Sequence, residues 1–175
     1  PHIWLENDVY HAILGGKVKP HDQRDTAYLF TSTDLIHWDY QRPFYNPNSL
    51  WTEDMEDCAC PDFFRIDETH VLMCISHSHG TRFYLGNYQK GTFVAQSHHR
   101  MNYPGGSCFA SESLSDQMGR RVVWAWVLSQ LPTINDGCSI MTIPRVLSMD
   151  TPKTLTIEPA RELELLRKKP RELAS

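Results

Sequence analysis

Apolar residues along this chain fall in short runs of β-formers that each follow a polar turn, and a helical stripe is largely missing. Three stretches share the layout. Asn7-Asp8 precedes Val9-Tyr10-His11-Ala12-Ile13-Leu14, Asp67-Glu68 precedes Val71-Leu72-Met73-Cys74-Ile75, and Gly119-Arg120 precedes Val122-Val123-Trp124-Ala125-Trp126-Val127. Runs this short and apolar predict strands buried within a sheet. Each unit adds a leading strand (1–5, 61–66, 107–111), a third strand (26–32, 82–87, 138–143) and an outer strand (37–40, 92–95, 154–157). Four strands per unit, recurring near the roughly 40 to 50 residues of propeller blades, predict an all-β chain of three blade-like units at about 1–45, 46–103 and 104–160, with a tail at 161–175. Turn-rich joints at 43–49 and 103–106 separate them. The best helix candidate is 159–173, where Leu163 and Leu166 offer one or two amphipathic turns. Three blades cannot close a ring, so one face of the first unit and one of the third should lie uncovered.

Composition narrows the function. With 175 residues, 41% hydrophobic and 22% charged, the chain can bury a core. A formal charge of -4 without a Lys/Arg stripe gives no footprint for nucleic acid, and a neutral substrate is easier to accommodate. The apolar runs fall far short of the roughly 20 residues that span a bilayer. Five cysteines (Cys58, Cys60, Cys74, Cys108, Cys138) at irregular spacing imply reduced, partly buried thiols rather than a disulfide framework. The chain opens at Pro1 directly into a strand-like run, so it reads as starting inside an element, and any targeting segment would precede it.

The chemistry concentrates between the first two units. Trp51-Thr52-Glu53-Asp54-Met55-Glu56-Asp57-Cys58-Ala59-Cys60-Pro61-Asp62 sets five carboxylates beside two thiols just ahead of an innermost strand. Innermost strands of a propeller start at its central channel, where a carboxylate pair can hydrolyse a glycosidic bond. A solvated acidic loop is the plainer account of the same residues.

Cys60-Pro61-Asp62-Phe63-Phe64 resembles the Glu-Cys-Pro-Asp-Phe block of glycoside hydrolase family 32, the invertases, inulinases and levanases. Other blocks follow in the family's order. Gly119-Arg120-Arg121-Val122-Val123-Trp124-Ala125-Trp126 resembles its Gly-Arg-Arg-Ile-Leu-Trp-Gly-Trp, and Ile143-Pro144-Arg145-Val146-Leu147 its Leu-Pro-Arg-Glu-Leu. Ser32 to Trp38 matches the outer-strand signature, and 159–167 the stretch closing the catalytic domain. The resemblance implies a five-bladed β-propeller, about three blades of it present here, and retaining hydrolysis of β-fructofuranosides such as sucrose or fructans. It implies no cofactor and no metal, a small carbohydrate as the partner, and further blades of the same protein on the N-terminal side.

This sequence departs from the family in three places. The Trp-Met-Asn-Asp-Pro-Asn-Gly block with the nucleophilic Asp is absent, only Pro1 remains of the Arg-Asp-Pro block, and Ala59 stands where the acid/base Glu should precede Cys60. Displacement by a short insertion makes Glu56 the expected acid/base, with Glu53, Asp57 and Glu112 as alternatives. Asp57, Cys60, Asp62 and His77 are the expected substrate-binding residues: Asp62 accepts sugar hydroxyls, Cys60 tunes the neighbouring acid, and all line one concave pocket with Glu56. Cys58, Cys60, His77 and His79 lack the spacing of a common zinc site. His98-His99 reads as an exposed polar loop, and Trp124 and Trp126 as core filling.

Overall fold

Two-residue turns build the hairpins. In the computed structural model, which describes residues 1–17, 25–46, 48–53, 56–102, 108–128 and 140–168, Asn7-Asp8 and Lys90-Gly91 all take positive φ. That backbone matches the right-handed twist of the strands it joins. Three antiparallel sheets result. The first meanders through β1 (His2–Glu6), β2 (Val9–Lys17), β3 (Asp25–Ser32) and β4 (Asp39–Pro43). The second repeats this with β5 (Ala59–Ile66), β6 (Thr69–Ser76), β7 (Gly80–Gln89) and β8 (Thr92–Arg100). The third comprises β9 (Cys108–Ser115), β10 (Arg121–Val127), β11 (Ile140–Met141), β12 (Arg145–Thr151) and β13 (Thr154–Pro159).

Alternation along the middle sheet explains how the three associate. Successive side chains of a strand point to opposite faces. Leu72, Cys74 and Tyr84 therefore join Ile13, Leu29, Phe44, Phe63 and Phe93 in one core against the first sheet. Val71, Met73, Phe83 and Leu85 join Val123 and Leu147 in a second core against the third sheet. The outer faces lack this cover: Ile3, Leu5 and Leu14 of the first sheet and Trp126, Ile140 and Met141 of the third are exposed.

Several expected elements move. The third strand of the third sheet is split, because Pro144 has no N–H for the ladder. Only Ile140–Met141 falls within the expected 138–143, of which 138 and 139 lie outside the described residues, and the longer part is β12. The outer strand expected at 37–40 starts at Asp39, since Asp34 accepts the Ile36 and His37 amides and holds the chain in a turn. β8 runs on to Arg100, so His98 and His99 are strand residues: His98 packs on Tyr84 with ring centroids 4.9 Å apart, and His99 stacks on Phe83 at 5.3 Å. Val123 and Ala125 fill the covered face of β10, while Trp126 is 45% exposed, contrary to the expected core role. The helix candidate is a single 3₁₀ element, Arg161–Leu166, with no buried residue. No helix among the described residues is long and apolar enough to cross a membrane.

Candidate active site

The acidic segment runs into β5 under the first sheet. It can do so because Gly15 on β2 has no side chain: a Cβ there would collide with the Cys58 carbonyl oxygen. Beyond Cys58 the strand bulges. Ala59 pairs with Ile75 and Asp62 with Met73, leaving Cys60 and Pro61 opposite Cys74 alone, and Cys60 adopts φ +44°. A bulge re-aims side chains and bends the strand, a feature common beside active sites.

Glu56, the expected proton donor, occupies a different environment from the one the sequence suggested. Its carboxylate is 1% exposed. Arg100 Nη1 donates to Oε1 at 2.9 Å, Arg82 Nη1 pairs with the same oxygen at 3.1 Å, and the Glu53 amide donates to Oε2 at 3.0 Å. Burial alone pushes this carboxyl up, but the Arg100 hydrogen bond and the Arg82 charge outweigh it and hold it below its ordinary value. A carboxylate kept ionised by two guanidiniums is poorly suited to donating a proton.

Arg82 is fully buried and ties this segment to the first sheet. Its Nη2 donates to Asp25 Oδ2 at 2.9 Å and to the Asp57 carbonyl at 2.7 Å. Asp25, also fully buried, accepts from Thr52 Oγ1 at 2.9 Å, from the Tyr84 hydroxyl at 2.9 Å and from the Tyr45 hydroxyl. Sequence reasoning missed Asp25, Arg82 and Arg100, because each sits on a strand with no local motif and acquires its partners only through contacts distant in sequence. The spacing that places acids opposite these arginines is not a sequence signal.

Asp57 and His77 meet directly: the His77 amide donates to Oδ1 at 2.9 Å, and Nδ1 lies 2.6 Å from Oδ2. The His77 side chain is 71% exposed and sits 6.1 Å from the Phe109 ring. Cys60 is exposed, its thiol raised by partial burial and then by the charge of Glu112. Asp62 departs from the expected sugar acceptor. It is fully buried, and Ser113 N (2.9 Å), Ser113 Oγ (2.5 Å), Arg121 Nη2 (3.0 Å) and His2 Nδ1 (3.2 Å) occupy its two oxygens. The expected single pocket is thus divided: Asp57, Cys60 and His77 stay accessible, whereas Glu56 and Asp62 are sealed by protein donors. A separate cleft of about 530 Å³ between the inner strands is lined by His2, Trp4, Phe63, Tyr88 and Arg121.

β9 repeats the bulge of β5. Phe109 pairs with Trp126 and Glu112 with Trp124, leaving Ala110 and Ser111 opposite Ala125, and Ala110 takes φ +44°. Cys58-Ala59-Cys60-Pro61-Asp62 and Cys108-Phe109-Ala110-Ser111-Glu112 are therefore equivalent, and Glu112 holds the place of Asp62. Among the described residues no side chain hydrogen-bonds or ion-pairs with Glu112, and solvent reaches it. Partial burial and then the Asp62 charge raise its carboxyl, against the opposing pull of the Pro1 amine and Arg121. Two inner strands thus bring Cys60, Asp57, His77 and Glu112 to one end of the molecule, an arrangement able to hold a polar ligand and to supply one proton.

Known proteins resemble this chain over nearly its full length. The sucrose-6-phosphate hydrolases of Zymomonas mobilis and Escherichia coli are 27% and 29% identical over 194 and 189 residues, each covering 95% of this chain. The match takes in 36% and 37% of their lengths, so the chain spans just over a third of these curated relatives. The structure of the Bombyx mori GH32 beta-fructofuranosidase BmSUC1 superposes with a TM-score of 0.78 at 18% identity, over 95% of this chain and 38% of that one, and gives the fold as the β-propeller type. The family model for the glycosyl hydrolases family 32 N-terminal domain matches residues 1–159, and the chain belongs to that family.

Proposed function

We propose that the protein carrying this chain is a glycoside hydrolase acting on β-fructofuranosides, sucrose or fructans, by a retaining two-carboxylate mechanism. The observation that supports it is the family 32 match across residues 1–159. Relatives named sucrose-6-phosphate hydrolase favour a fructoside over the arabinosides or xylosides of a related propeller glycosidase. In this reading Asp57, Cys60 and His77 face the sugar, while Glu56 and Asp62 hold the bulged inner strands in place through Arg82, Arg100 and Arg121. The nucleophilic carboxylate comes from a part of the protein outside these 175 residues, because the Asn-Asp-Pro-Asn block occurs nowhere in them. Further blades would cover Ile3, Leu5 and Leu14 and complete a five-bladed ring.

The test is fructose release by the full-length protein and by the 175-residue chain alone, on sucrose, sucrose 6-phosphate, inulin and levan. The full-length protein releases fructose from at least one of them, and the chain alone from none, since one carboxylate of the pair is missing. Turnover by the isolated chain would overturn the missing-nucleophile argument, and release of only pentoses from arabinans or xylans by the full-length protein would favour the rival enzyme.

A further inference from the structure

A proton donor for glycoside cleavage must be reachable by substrate, protonated at working pH and free of strong cationic partners. Three carboxylates near the inner strand ends fail one of these conditions. Glu56 is enclosed and bound to two arginines. Asp62 is enclosed, with both oxygens occupied. Asp57 holds His77 with both oxygens. Ala59, directly before Cys60, has no acid at all.

We propose that Glu112 is the proton donor, standing in for the glutamate that Ala59 replaces; this rests on the fructosidase reading above. The duplicated bulge carries the assignment. β5 and β9 lie side by side with the same kink at the same pairing step, so the residue that ends the β9 bulge emerges next to Cys60 at the β5 bulge. Glu112 is exposed there, with no hydrogen-bond or ion-pair partner among the described residues. The charged groups that act on it are Asp62 of β5, Arg121 of β10 and the Pro1 amine, and its own charge acts on Cys60 of β5. In a longer chain that amine becomes a peptide nitrogen, which removes one of the two cations and leaves Arg121 alone to oppose Asp62. The raised carboxyl of Glu112 agrees with this placement.

The step balances. A carboxylate nucleophile from elsewhere in the protein bonds to the anomeric carbon, the carbon–oxygen bond breaks with its electron pair on the leaving oxygen, and that oxygen takes the Glu112 proton. Glu112, now a carboxylate, then accepts a proton from the water that cleaves the fructosyl ester.

The experiment compares wild type, Glu112→Gln and Glu56→Gln in the full-length protein, on sucrose and on an aryl β-fructofuranoside with a good leaving group. Glu112→Gln lowers kcat/KM on sucrose by about 10² to 10⁴-fold, affects the aryl substrate far less, flattens the high-pH limb of the rate profile and regains turnover when azide is added as an external nucleophile. Its melting temperature stays near that of wild type, because the side chain is exposed. An active wild type with an unimpaired Glu112→Gln, or with the leaving-group dependence and azide rescue in Glu56→Gln instead, overturns the assignment and leaves the fructosidase reading standing. A wild type inert on every fructoside overturns that reading and the assignment together.

Discussion

The inner strands of the second and third sheets share a bulge, a buried cysteine ahead of it and an acid at its end, yet the two acids lead opposite lives. Asp62 is fully buried among four protein contacts, while Glu112 is open to solvent and unpaired among the described residues. The backbone cannot be the cause, since the pairing step and the φ of the bulged residue agree. The difference is cover. β5 has β1 on one side and β9 on the other; His2 comes from β1, Ser113 from β9, and Arg121 from β10, the strand paired with β9. Glu112 lacks the equivalent shell, so desolvation and the Asp62 charge outweigh the opposing pull of the Pro1 amine and Arg121. The same local geometry therefore makes a fastener in one sheet and a reactive group in the other.

The contrast breaks most severely at Arg82. Replacing it with Met leaves Asp25 as a buried anion without its cation and Glu56 with Arg100 alone, and should destabilise the protein by about 3 to 5 kcal/mol, read as a fall in the denaturant midpoint. A midpoint within error of wild type would mean that this network is not a structural fastener. Asp62→Ala is the next largest. It strands Arg121 and the Ser113 amide, and a loss of about 2 to 3 kcal/mol is expected by the same measurement. The matching Glu112→Ala should stay within about 0.5 kcal/mol of wild type, and an equal loss in both would show that the two bulges are not so different after all.

Acid acts with opposite signs on the buried network around Arg82 and on Glu112 of β9. Glu56 is held below its ordinary value, so the unfolded chain binds its proton first, and the stability it contributes is present above about pH 4.5 and lost as pH falls through the folded value. His98 acts in the same direction: burial, then Arg82 and Arg100, push its imidazole down to about 4, so its contribution is complete above about 6.5 and is lost between there and about 4. Glu112 is raised, so its contribution is present at low pH and is lost as pH rises through its folded value. Urea midpoints measured from pH 4 to 7 should therefore rise with pH, with a shallower slope in His98→Gln. An unchanged slope in that variant would assign the dependence to the carboxylates alone.

The smallest effect concerns the uncovered faces. Leu14→Ala, on the exposed side of β2, should cost about 0.5 kcal/mol or less in the 175-residue chain, against about 2 to 5 kcal/mol for Leu72→Ala in the covered core. In the full-length protein the Leu14 cost should rise toward the core range if a preceding blade packs there.

The strands and their grouping were legible along the chain, because burial on alternate faces and polar two-residue turns are local signals: the runs beginning at Val9, Val71 and Val122 became β2, β6 and β10, and Asn7-Asp8 turned the first hairpin. The family blocks were legible for the same reason, being contiguous. Strand ends were less so. Pro144 split a strand, and the Asp34 turn delayed another, through hydrogen bonds that no periodicity records. Which acids are available follows from packing between strands and not from local signals. Glu56 looked like the nearest glutamate to Cys60 along the chain, but Arg82 and Arg100 reach it from β7 and β8. Asp62 is closed by residues of β1, β9 and β10, and Glu112 came next to Cys60 only because two inner strands carry the same kink side by side. The state of a carboxyl group depends on charges and solvent within a few ångströms, and those neighbours are remote along the chain: Arg100 lies 44 residues from Glu56 and Arg121 59 residues from Asp62.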